Sequence, residues 1–163
     1  MRLEEKDEII AALNTRVESL AGQLVEAETE AKSKHENLAI AQDDTEQYGR
    51  RMNIRIENIE YKMDETEEEL KEKIEEVLTK VGVDVEESML VRWHRSGRAH
   101  VNDDGIRVAQ TILKFRSWKP RKQAHAWRKY AKELDLPFII RPDLTKRRYN
   151  LLREAIHAAK SRT

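Results

Sequence analysis

Glu46-Gln47-Tyr48-Gly49-Arg50-Arg51-Met52-Asn53-Ile54-Arg55-Ile56 is the stretch at which this chain changes character. Upstream of it, apolar residues return with the spacing of a helical seam. From Asn53 onward they alternate, Ile54 and Ile56 against Arg55 and Glu57, which is the period of a half-buried strand. A rod therefore precedes a globular unit.

In the upstream part, steps of four and three place Leu3, Ile10, Val17, Leu24, Ala31, Leu38 and Thr45 at heptad position a. Position d holds Lys6, Leu13, Leu20, Ala27, Lys34, Ala41 and Tyr48. The seam is fully apolar from Ile10 to Leu24 and thins where Ala27, Ala31 and Lys34 fill it. The stripe is narrow, the polar faces are broad, and no proline interrupts it. Residues 1–48 are expected to form a coiled coil, a rod whose roughly 45 heptad residues would extend about 65–70 Å at 1.5 Å per residue. Leu3, Ile10, Leu13, Val17, Leu20, Leu24 and Leu38 carry its self-association. Arg16-Val17-Glu18-Ser19-Leu20-Ala21 is similar to a trimer signature, with Ala21 where that signature has a glutamate. A homotrimer is favoured over a dimer.

Downstream, the expected elements are a strand over 53–57, a helix over 66–81, strands over 89–94 and 107–116, a second helix from Pro120 to about Leu134, and a strand over 138–140. Thr66-Glu67-Glu68-Glu69 is a capping box with acids in the first turn, and Val81-Gly82 closes that helix. Ser96-Gly97 and Asn102-Asp103-Asp104-Gly105 are turn chemistry. Ala124, Trp127, Tyr130, Ala131 and Leu134 share the buried face of the second helix. The order βαββαβ with right-handed crossovers gives a four-stranded sheet with both helices on one face. The expected class is α+β: a long coiled-coil helix, a domain with the architecture of an RNA-recognition motif (RRM) over 49–142, and a C-terminal helix in 143–163.

The charge is segregated. Residues 1–50 hold 6 Lys/Arg against 12 Asp/Glu, residues 51–91 hold 6 against 13, and residues 92–163 hold 19 against 6. A neutral total thus hides a terminal part of net charge +13, which points to a polyanionic partner. With no cysteine, disulfides, thiolate metal sites and cysteine nucleophiles are excluded. No apolar run has the length of a membrane span, and Met1-Arg2-Leu3-Glu4-Glu5-Lys6 lacks the apolar core of a signal peptide. A soluble intracellular protein is expected. The histidines show no metal-ligand spacing, and no catalytic triad, P-loop or Gly-rich fingerprint occurs. An enzyme is not expected, and neither a cofactor nor a metal.

The strands sharpen this. Ile54-Arg55-Ile56-Glu57-Asn58-Ile59 resembles the first-strand hexamer of the RRM, and Ile112-Leu113-Lys114-Phe115 resembles the end of its second motif. The positions that carry base-stacking aromatics in RRMs are Arg55, Gln110 and Ile112 here. Phosphate contacts, with the guanidinium plane of Arg55, then replace ordinary stacking, and sequence specificity is low.

Together these pieces resemble the first-open-reading-frame proteins of LINE-type retrotransposons. The likeness is carried by residues 46–56 (EQYSRRNNLRI in the family), His94-Arg95-Ser96-Gly97-Arg98 (HRVGR), Thr111-Ile112-Leu113-Lys114-Phe115 (IIVKF) and Pro142-Asp143-Leu144-Thr145 (EDLT). It covers nearly the whole chain. Trp93 stands where the family has a small residue, Gly49 departs within the first motif, and the family continues beyond the helix of 143–163 into a further small sheet. The resemblance implies a trimeric chaperone that coats its own transcript in cytoplasmic ribonucleoprotein particles, with possible access to the nucleus. It also implies RNA contacts at Arg92, Arg95, Arg98, Arg128, Arg147 and Arg148.

Chemistry adds further basic candidates. Lys114 and Arg116 alternate outward on the third strand, and Arg141 follows the fourth. Lys119, Arg121 and Lys122 cluster at a helix N-terminus, where the macrodipole disfavours cations. Lys146, Arg147 and Arg148 follow Asp143, the expected N-cap of a helix whose apolar face is Leu144, Leu151, Leu152, Ala155 and Ile156. The partner expected is single-stranded RNA, with single-stranded DNA as a weaker option. A coiled-coil scaffold whose α/β head binds proteins is the alternative.

Overall fold

The computed structural model describes residues 3–86 and 88–161. Met1 and Arg2 of the charged N-terminus, Glu87, and the last two residues of the C-terminal segment lie outside the described residues. The chain divides into two compact units, Met1–Thr45 and Glu46–Thr163.

The first unit is formed by helix α1, Leu3–Arg50, whose last turn from Glu46 belongs to the second unit. It has no buried residue. Ile10, Leu13, Val17, Leu20 and Leu24 are between 49% and 62% exposed, and Leu3 and Leu38 more so. Local bonds serve the helix itself: Lys34 pairs with Glu30 at 2.6 Å, and the hydroxyls of Thr15, Thr29 and Thr45 donate to carbonyls four residues back. Gly49, the departure within the first motif, lies inside the helix, which ends at Arg50.

In the second unit β1 (Asn53–Glu60), α2 (Glu67–Lys80), β2 (Leu90–Val101), β3 (Arg107–Phe115), α3 (Trp118–Ala126), α4 (Arg128–Glu133), β4 (Ile139–Pro142) and α5 (Lys146–Lys160) follow one another. The sheet order is β2-β3-β1-β4, with every neighbouring pair antiparallel. Alternation decides the faces. Ile54, Ile56, Leu113, Phe115 and Ile140 are buried, packed with Leu70, Ile74, Val77 and Leu78 of α2, Ala124 of α3 and Ala131 of α4. The helices therefore cover one face of the sheet. The capping box at Thr66 is present: its hydroxyl accepts from Glu69 N, and the Glu69 carboxylate accepts from Thr66 N. Val81 caps the other end, with Gly82 following at φ +80°.

Three expectations need correction. Strand β2 runs on to Val101, because Ser96-Gly97 sits within it at an irregularity between Ser96 and His100, Gly97 adopting φ +73°. The turn is Asn102–Gly105, where Asn102 Oδ1 accepts from the amides of Asp104 and Ile106. The second helix is broken at Trp127 into α3 and α4. There the indole lies over Gly82, where a Cβ would come within 3.3 Å of Trp127 Cη2. Tyr130 and Leu134, expected on the buried face, are exposed beyond the break. Lastly, the C-terminal helix is capped by Thr145, whose hydroxyl accepts from Arg148 N, and not by Asp143.

Candidate nucleic-acid interface

The face of the sheet away from the helices is built from the residues that alternate with the core. Registered pairs bring Arg92 of β2 beside Lys114 of β3 and Lys114 beside Asn53 of β1. The next row is His94, Ile112, Arg55 and Arg141. Two of the three positions where an RRM carries aromatics, Arg55 and Ile112, are thus neighbours in this row. Arg92, His94 and Lys114 are exposed. Arg141 donates from Nε to Glu57 Oε2 at 3.0 Å and remains about half exposed.

Beside this face lies a cleft of about 310 Å³, lined by Arg50, Arg55 and Arg141, by Glu57 and Gln110, and by Lys146 and Tyr149 at the start of α5. Two of its lining residues, Arg50 and Arg55, belong to an ionic clasp. The Asp143 carboxylate, 3% exposed, accepts from Arg50 Nη1 at 3.2 Å, Asn53 Nδ2 at 3.0 Å and Arg55 Nη2 at 2.9 Å. Gln47 completes it, its amide donating to the Asp143 carbonyl and its Oε1 accepting from Thr145 N. A buried carboxylate survives only when its lone pairs are satisfied by cations and donors, as here. Two stretches about 90 residues apart in sequence, Gln47–Arg55 and Pro142–Thr145, are therefore one structural device. Asp143 holds β1, the end of α1 and the start of α5 together. Arg55 is thus tied through Nη2 to Asp143, its Nε is buried without a partner, and its side chain stays about a quarter exposed at the cleft.

Arg95 needs correction. It lies on the helix side of β2 and directs its donors inward. Nε and Nη2 donate to the two Glu65 oxygens at 2.8 and 2.9 Å. Nη1 reaches the carbonyls of Ile59 and Ala109 and the Thr111 hydroxyl, and Nη2 the carbonyl of Glu60. All five N–H groups of a guanidinium are accounted for. Lys73 joins the same carboxylate at 2.7 Å. Burial pushes the Glu65 carboxyl up, but hydrogen bonds from Arg95 and Lys73 outweigh it and hold it below the ordinary carboxylate range.

The other expected basic residues divide by element. Lys119 and Lys122 are exposed on α3, in the helical layer and not on the open face. Arg121 is half-buried, 5.0 Å over the Trp118 ring, and burial depresses its pKa. Arg128 meets His125 Nε2 at 2.9 Å. Burial, then the charges of Arg128 and Arg121, hold that imidazole below its ordinary range. Arg116 follows the end of β3, donates to the Ser88 carbonyl, and shares a groove with Asp84 and Glu86. Arg98 is exposed at the β2 irregularity, Lys146 and Arg147 are exposed on α5, and Arg148 is partly buried. Of the tryptophans, Trp93 donates to the Glu67 carbonyl and packs against the core on the helix side.

Two residues of the cleft escaped the reading of the sequence. Arg50 was visible only as part of a motif, and Tyr149 had no signal beyond its place three residues after Lys146, which puts both on one helix face. Among the described residues no group of three His, Asp or Glu side chains is arranged to hold a metal, and no helix is long and apolar enough to cross a membrane.

Fold and face define an α+β protein with a four-stranded antiparallel sheet, helices on one side and a largely cationic surface on the other. A scan of the chain against models of known protein families finds no match, and a search of the curated proteins finds none either.

Proposed function

We propose that this chain is a homo-oligomeric, low-specificity binder of single-stranded RNA that packages a transcript into ribonucleoprotein, of the kind encoded by the first open reading frame of LINE-type retrotransposons. The second unit then follows the RRM plan, with α5 as the first helix of a C-terminal RNA-binding region. The observation that carries the reading is the open sheet face and its cleft, where Arg92 and Lys114 pair across β2 and β3 and Arg141 and Lys146 line the cleft. Cations on that face contact phosphates, which position a strand without reading it. The exposed stripe of α1 supports self-association, for a helix of this length without buried residues has no tertiary packing to hold it. A trimer is the favoured state. Linking three heads raises the local concentration of sites, so individually weak contacts sum to tight binding and to chaperone activity on nucleic acid. No catalytic chemistry is assigned to the chain, and its place is in cytoplasmic particles with access to the nucleus.

Competition tests this. The full-length chain should bind single-stranded RNA in preference to duplex DNA, and Arg141→Ala with Lys146→Ala should weaken it. Preference for the duplex, or indifference to both substitutions, contradicts it.

The exposed apolar residues Leu151, Leu152 and Ile156 of α5 favour a second reading, a coiled-coil scaffold whose head binds proteins. That reading requires no RNA binding and no effect of Arg147→Ala with Arg148→Ala.

A further inference from the structure

Glu57 is out of place in a cleft built to hold phosphate. Three arginines and a lysine line that cleft, and it is the acid among them. A carboxylate there weakens the attraction for a phosphate backbone, so phosphate binding alone does not call for it. It is also well positioned. Arg141 Nε donates to Oε2 at 3.0 Å, and the Gln110 amide approaches Oε1 at 3.5 Å. A carboxylate has about four lone-pair sites, and these contacts occupy two. Gln110 keeps a second amide N–H. Tyr149 contributes a 46% exposed ring that has no aromatic or cation–π partner among the described residues. The volume of the cleft, about 310 Å³, is at the small end of ligand sites, which run from about 300 to 1,000 Å³.

Resting on the strand-binding function above, we propose that this cleft takes up a single guanine of the bound strand. Tyr149 stacks on the base, Glu57 accepts from its N1–H and N2–H2, the Gln110 amide donates to O6, and Lys146 holds an adjoining phosphate. Unstacked bases of single strands are read in this way, by an aromatic face together with hydrogen bonds to the Watson–Crick edge. The edge chemistry selects the base. Guanine presents two adjacent donors to the two oxygens of a carboxylate. Adenine and cytosine place a ring-nitrogen lone pair beside their amino group, and uracil flanks its single N–H with two carbonyls, and both arrangements repel a carboxylate. The otherwise sequence-tolerant face thus carries one base reader.

The test uses the full-length chain and four nine-nucleotide RNA strands, all uridine except for G, A, C or U at the centre, with binding followed by fluorescence anisotropy at low salt. The central-G strand should bind about tenfold more tightly than the all-U strand, within the range that a good bidentate contact to a base edge supplies. Glu57→Gln should bring that ratio close to one. Tyr149→Ala should weaken binding of the central-G strand, and Tyr149→Phe should restore it. Equal affinity of the wild-type chain for all four strands overturns the base reader and leaves the strand-binding function standing, as does a G preference that survives Glu57→Gln in a variant with an unaltered circular-dichroism spectrum. Failure to bind any of the four strands overturns the proposed function itself.

Discussion

Asp143 is the residue on which the second unit turns. Its role was hidden in the sequence, where an acid shortly before Lys146-Arg147-Arg148 reads as a helix cap. The true cap is Thr145, and Asp143 instead serves donors on β1 and on the end of α1, about 90 residues away. A contact so distant in sequence leaves no trace in local spacing. Breaking a buried pair by removing one partner costs about 3 kcal/mol, because the remaining charges lose their counter-ion. Asp143→Ala should therefore lower the thermal midpoint of the second unit markedly, and Asp143→Asn less so. Glu65 offers a test by pH. Its folded pKa lies below the unfolded value of 4.5, so its stabilisation is complete above pH 4.5 and disappears as the pH falls through the folded value. Denaturant titrations should show the wild type losing stability across that acid window, and Glu65→Gln losing less there from a lower starting point.

At the scale of elements, local chemistry was legible wherever the element depended on neighbours in sequence. The Thr66 capping box, the Asn102–Gly105 turn and the inward alternation of Ile54 and Ile56 are all of this kind. The misreadings came where tertiary packing decides. Nothing in Lys119–Leu134 announces a break, which falls where the Trp127 indole packs over Gly82. Ser96-Gly97 has the composition of a turn, yet the sheet absorbs it as an irregularity in β2. Gly82 combines φ +80° with that close approach to Trp127. Gly82→Ala meets both obstacles and should cost about 1–2 kcal/mol, the penalty of a left-handed non-glycine residue, visible as a lower denaturation midpoint. On α1, Val17→Asp with Leu20→Asp puts charge into the seam. Light scattering should show the wild-type chain as a trimer and this variant as a monomer. A wild-type dimer would remove the trimer from the account.

At the scale of the whole molecule, charge segregation was readable in the sequence before any fold, but its arrangement was not. Composition placed +13 in residues 92–163 without separating Arg95, which is tied inward to Glu65, from Arg92, which is exposed on the open face. Nor did it show that Arg55, Arg141 and Lys146 share a cleft with Tyr149. Under the proposed function, Arg92, Lys114, Arg141 and Lys146 grip a strand through its phosphates. Binding must then release counter-ions, and the logarithm of affinity must fall linearly with the logarithm of salt concentration, at about 0.7 per phosphate contact for a single strand. The most direct measurement is a salt series of filter-binding isotherms for the full-length chain on single-stranded RNA. A steep, linear decline, equivalent to several phosphates per head, is the result expected; an affinity that does not change with salt would contradict the account.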